Sequence, residues 1–139
     1  MKKIAYVSIL ALGVLASAEA SALQICSGTA GDGVLTGLSG TAGTNFIMTA
    51  FTPKCSNNVF LNAQDINGGA GVAVGSASRK GKTRFGGSTN GGGMTAGLAC
   101  TQAGACTDTD STTALSAAVT AAGWDKMSGA IEGVQPPST

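Results

Sequence analysis

Asn58-Val-Phe-Leu-Asn-Ala-Gln-Asp-Ile66, Asn67-Gly68-Gly69 and Ala70-Gly-Val-Ala-Val-Gly-Ser-Ala-Ser78 follow one another without a break, and their reading decides the fold. Two runs of strand-type residues flank an Asn-Gly pair. That is the strongest short-range hairpin signal, because both residues tolerate positive φ. A compact basic turn leads on to Lys82-Thr-Arg-Phe-Gly86, and Asn90-Gly91-Gly92-Gly93 marks another reversal. The whole stretch lies between Cys55 and Cys106 and reads as a Gly-punctuated antiparallel meander.

Upstream, Asn45-Phe-Ile-Met-Thr-Ala-Phe51 has the composition of a strand, ended by Pro53. Phe46, Met48 and Ala50 would share one face, with Ile47 and Phe51 on the other. Apolar groups on both faces suit a central strand or one covered by a partner. Downstream, Asp110 to Gly123 reads as a helix. Leu115, Ala118, Val119 and Ala122 recur at the spacing of a single narrow face. Asp110 or Ser111 can cap its start, and Gly123 stands where a left-handed C-terminal residue belongs. The stripe is Ala-rich, so the helix can approach a sheet closely. Trp124 is read as a plug for the core.

The expected fold class is therefore mainly β, a β-rich α+β domain. It combines a small antiparallel β-sheet meander with one Ala-rich C-terminal helix and two disulfides. Strands are expected near 45–52, 58–66, 70–78 and 82–86, with another near 94–99.

Met1 to Ala22 has the layout of a secretory signal peptide. Lys2 and Lys3 precede the apolar run Ile4–Leu15, and small residues with A-x-A spacing follow, up to Ala20-Ser21-Ala22. The run is shorter than the roughly 20 residues that span a bilayer. Ile25 is too large for the position before a lipidated Cys26. The expected membrane encounter is through the export signal alone. Residues 23–139 then form one small secreted domain, with a Gly-rich opening at 23–43 and a flexible tail at 134–139. The expected location is extracellular or at the cell surface, with the periplasm as the alternative.

Removing Lys2, Lys3 and Glu19 leaves basic and acidic side chains equal in number. Without a basic excess, nucleic acid is not an expected partner. A net charge near zero also removes the repulsion that keeps small domains apart. Small Ala and Gly side chains dominate, so the core should be thin.

Four cysteines remain after export: Cys26, Cys55, Cys100 and Cys106. An even count in an exported, thin-cored domain reads as two disulfides. Three pairings are open. Closure of local Gly-rich loops favours Cys26–Cys55 and Cys100–Cys106. A zinc site is disfavoured, since there is no Cys-x-x-Cys pair and no histidine.

The missing histidine also removes Ser-His-Asp and Cys-His nucleophilic chemistry. Asp108-Thr-Asp110 brings two carboxylates together. Immediately ahead of a helix, they read as capping groups rather than a glycosidase pair. Gly75 to Thr83 superficially resembles a phosphate-binding loop, but the first glycine is displaced by one residue and a strand follows. No catalytic residue, cofactor or metal is expected, and the chain is not read as an enzyme.

Two surface features remain. Arg79, Lys80, Lys82 and Arg84 crowd one turn, either as solvated charges guarding strand edges or as a patch facing an anionic partner. Asp108-Thr-Asp110 would complement that patch if subunits assembled head to tail. Phe46, Ile47, Met48 and Phe51 form a candidate assembly contact. The expected function is that of an exported structural or self-assembling protein, a fibre, matrix or surface-layer subunit. Its partner would be itself or another envelope component. The alternative is a monomeric binding module for an envelope, glycan or protein partner.

Overall fold

The computed structural model describes residues 22–40, 44–66, 68–90 and 94–121. The expected signal peptide (except Ala22), Trp124, the Gly123 cap and the 134–139 tail lie outside them. A five-stranded antiparallel sheet runs in the order β1-β4-β5-β6-β7. Its strands are β1 (Leu23–Ser27), β4 (Val59–Ile66), β5 (Gly71–Ser78), β6 (Thr83–Ser88) and β7 (Leu98–Ala99). A short two-stranded ladder pairs β2 (Gly31–Asp32) with β3 (Lys54–Cys55), and one helix, α1, spans Asp108–Ala121.

The hairpin at the centre forms as expected. β4 and β5 pair in unbroken register from Val59↔Ser78 to Ile66↔Gly71. Gly68 and Gly69 take φ of 64° and 86°, the left-handed conformation that the reversal requires. The basic turn closes through a Gly81 N–H to Ser78 carbonyl bond of 2.8 Å, after which β5 and β6 pair. Beyond the third reversal, Met94 bridges back to Gly87 and the strand expected near 94–99 shrinks to β7.

Alternation along β5 sets the two faces of the sheet. Gly71, Ala73, Gly75 and Ala77 are buried and face α1, while Val72, Val74 and Ser76 face the other way. The α1 side holds a small core of Ile66, Ala73, Leu115 and Ala118, with Val119 packed against it. Its thinness follows from its residues. A Cβ placed on Gly75 would stand 2.1 Å from the Ser111 carbonyl oxygen, and one on Gly86 2.4 Å from that of Ala114. The helix backbone therefore rests almost directly on the sheet.

On the opposite face, the described residues of 33–40 and 44–55 form an irregular layer over β1 and β4. Ile25, Cys26, Leu35, Leu38 and Ala63 are buried there, with Leu23, Ile47, Cys55, Leu61 and Val72 around them. A β-bulge between Gln24 and Cys26 turns both Ile25 and Cys26 toward this core. The Cys26–Cys55 disulfide then pins the irregular layer to the sheet. The second disulfide is Cys100–Cys106, so both bonds follow the local-loop pairing.

One expectation fails here. Residues 45–52 form no strand, and only Ile47 makes an isolated bridge, to Ser39. The free edge of β4 is taken instead by β1, a strand too short and too close to Gly-rich sequence to stand out. The backbone at 45–47 finds other partners. Phe46 N–H donates to the Asp65 carboxylate at 3.0 Å, and Ile47 C=O accepts from Gly40 N–H. With no ladder to join, the segment turns Ile47 inward and leaves Phe46, Met48 and Phe51 outside.

Candidate functional site

Three groups of residues were candidates for chemistry or contact. The first centres on Asp110. α1 begins two residues earlier than its apolar stripe implied. Thr107 stands as its cap and Asp110 as the third helical residue, the Thr-x-x-acid arrangement of a capping box. Thr107 donates its N–H (2.8 Å) and its hydroxyl (3.0 Å) to Asp110 Oδ2. Asp110 Oδ1 accepts the N–H (2.7 Å) and hydroxyl (2.8 Å) of Thr101, and Arg84 Nη1 at 3.1 Å. The carboxylate is fully buried.

Burial alone would raise the pKa of Asp110. The backbone and hydroxyl donors of Thr101 and Thr107 outweigh it and hold the carboxyl well below its ordinary 3.8. Asp110 thus ties together the helix start, the Cys100–Cys106 loop and β6. Asp108 is engaged as well: its carboxylate accepts from the Asn62 amide at 2.9 Å, and Ser111 bonds to its carbonyl. The pair serves as a structural anchor. Within the chain Asp110 already pairs with Arg84 of the basic turn, while Asp108, half-buried, meets neutral partners only.

The second group is the basic turn, which the fold divides. Because β6 begins at Thr83, alternation carries Arg84 to the α1 side, where it meets Asp110 and leaves its Nε buried without a partner. Arg79 lies over the Phe60 ring at 5.2 Å, a cation–π arrangement that fixes the turn against β4. Lys80 and Lys82 are exposed. Among the described residues only Lys54–Asp32 and Arg84–Asp110 form ion pairs, so Arg79, Lys80 and Lys82 face solvent without a carboxylate.

The third group is the segment from Phe46 to Phe51. Asn45 roots it, donating to Asp65 (2.7 Å) and to the Gly37 carbonyl (2.9 Å). From that root the chain presents Phe46, Met48 and Phe51 at 40%, 60% and 58% exposure. Ile47 alone packs against the core. The sequence grouped these four residues together, and the fold separates Ile47 from the other three.

All four cysteines are disulfide-bonded. Among the described residues no helix is long and apolar enough to cross a membrane. Comparison with protein families, with curated proteins and with solved structures finds no match.

Proposed function

We propose that this chain is an exported, disulfide-stapled protein that assembles with copies of itself as a structural component outside the cell. The observation that carries this reading is the exposure of Phe46, Met48 and Phe51 on a segment anchored at Asn45. Large apolar side chains clustered on a small domain mark contact surfaces. No charged residue occurs from Gly33 to Pro53, so the segment itself carries no ion to desolvate. The two disulfides support an oxidising setting.

The deciding experiment is the size of the oxidised mature protein, purified through its own secretion route. Light scattering across a concentration series is read alongside negative-stain microscopy. A defined oligomer or ordered polymer supports the reading; a monomer at every concentration overturns it.

A second reading, a monomeric module for an anionic envelope glycan, is favoured by Arg79, Lys80 and Lys82 standing without acidic partners. Binding to such a glycan that weakens steeply with salt would select it.

A further inference from the structure

At one end of the sheet Gly28 takes φ of 84° and Asn58 takes 70°. Gly28 N–H donates to the Val59 carbonyl and Asn58 N–H to that of Gly28, both at 2.9 Å. Arg79 N–H donates in turn to the Asn58 carbonyl at 2.7 Å, so the basic turn is tied to the ends of β1 and β4.

The Arg79 side chain is fixed as well. Its guanidinium lies over Phe60 at 5.2 Å, in space that a side chain on Gly28 would invade. A Cβ there would stand 3.0 Å from Arg79 Nη2 and 2.8 Å from the ring. One face of the guanidinium is used on the ring, and among the described residues its N–H groups meet no acceptor. The described carboxylates are all committed elsewhere: Asp32 to Lys54, Asp65 to Asn45, Asp108 to Asn62 and Asp110 to Arg84. Lys80 and Lys82 are exposed on the same turn. With Ala77 opposite Arg84, the register brings Arg79 and Lys82 to the mouth of that turn, where like charges repel and an anion between them is stabilised.

We propose that Arg79 anchors a binding site for an oxyanion group carried on a surface glycan, with Lys80 and Lys82 at its sides. The inference rests on the second reading above and supplies the site and the chemical group that reading lacks. A guanidinium held flat presents a paired N–H edge, which matches the oxygens of a sulfate, phosphate or carboxylate. Seating on the ring lowers the entropy lost when that pair forms.

The surroundings favour a glycan over a lipid headgroup. Neither Ser56–Asn58 nor Ser78–Lys82 carries an apolar side chain that could enter a bilayer. Beside Gly28, the exposed Ser27 and Thr29 hydroxyls stand 3.0 Å apart, within reach of a sugar hydroxyl. Asn57 holds Ala30 N–H through its side-chain oxygen, which leaves its exposed NH2 group to the same use.

The test uses the oxidised mature chain, with dextran sulfate as the probe and uncharged dextran as its control, by titration calorimetry across a salt series. The double variant Arg79→Lys, Lys80→Arg exchanges the two neighbours and preserves charge and composition. The expected result is binding to dextran sulfate alone, weakening with salt, and a loss of roughly tenfold in the exchanged variant. Circular dichroism confirms that the variant is folded. Should it not fold, the side-chain Nε–H resonance of Arg79 in the wild type replaces it, and must move on adding dextran sulfate for the proposal to stand.

Equal binding by the exchanged variant assigns the affinity to diffuse charge, which overturns the Arg79 site and leaves the glycan reading standing. No binding by the wild type at low salt removes both. Binding to poly-glutamate or to phosphatidylglycerol vesicles but not to dextran sulfate overturns the glycan as the carrier.

Discussion

Gly75 and Gly86 lie directly opposite one another on β5 and β6, beneath the backbone of α1. Neither position has room for a methyl group: the nearest helix carbonyl oxygens stand at 2.1 Å and 2.4 Å from the Cβ sites. The obstacle in each case is helix backbone, so the helix as a whole must shift. Gly75→Ala is therefore expected to cost at least the roughly 1–3 kcal/mol of overpacking. At about 4–8 °C per kcal/mol for a domain of this size, the melting temperature falls visibly. Gly68→Ala, in the open hairpin turn with nothing near its Cβ site, should cost only the strain of its positive φ. Thermal melts of the three proteins compare close approach with backbone strain.

The Asp110–Arg84 pair makes a second prediction. Asp110→Ala leaves the Arg84 guanidinium, already carrying one unpartnered buried nitrogen, without its counter-charge. Breaking a buried pair from one side typically costs about 3–5 kcal/mol. Asp108→Ala, at a half-buried carboxylate with neutral partners, should cost less. Urea midpoints of the two variants give the comparison.

Acidity tests the same residue with a definite sign. Asp110 titrates lower in the folded chain than its ordinary 3.8. Its contribution is therefore complete above 3.8 and is lost as the pH falls below that value toward the folded one. The urea midpoint of the wild type should drop steeply in that acid range. Asp110→Asn should start lower and decline less. Parallel slopes would remove Asp110 as the acid-sensitive group.

Much of this architecture was legible before any coordinates. The β4–β5 hairpin declares itself locally, through Asn67-Gly68 between two β-type runs. The helix does so through its Leu115–Ala118–Val119 spacing, and local closure favoured the two disulfides. What stayed hidden depended on distant partners. Phe46 to Phe51 has strand composition, but its backbone is satisfied by the side chain of Asp65 and by Gly40. β1 is defined by a bulge and by a bond to Cys55, neither of which a five-residue window reveals. Arg84 reads as one more charge in a turn until the start of β6 fixes its side of the sheet. The Gly/Ala alternation of Gly71, Ala73, Gly75 and Ala77 was a signal in plain view. It marks the face on which a helix can lie flat.

The disulfides should differ in cost. Closing the longer Cys26–Cys55 loop contributes about 3.5 kcal/mol by chain entropy and the short Cys100–Cys106 loop about 2.4 kcal/mol. Cys100–Cys106 has an added role, because its loop carries Thr101 and runs into Thr107, the two residues that hold Asp110. Replacing Cys100 and Cys106 by Ser should therefore cost more than its loop length implies, and the excess should vanish in the Asp110→Ala background. A double-mutant cycle on urea stability measures that coupling.

The division of the 45–52 segment gives the last prediction. Ile47 packs against Ile25, Cys26, Leu35, Leu38 and Ala63, whereas Phe51 stands more than half exposed. A carboxylate at position 47 would sit partly buried against the apolar core without a cation to meet it, a change expected to cost roughly 1–3 kcal/mol. The same group at position 51 reaches water. Ile47→Asp should therefore lose stability, or fail to fold, while Phe51→Asp melts within about 0.5 kcal/mol of wild type, as exposed substitutions do. A regular strand through the segment, with Phe51 sharing the inward face of Ile47, would make both variants fall together. Thermal melts of the two, at concentrations where wild type is monomeric, decide between a surface segment rooted by Ile47 and an ordinary piece of core.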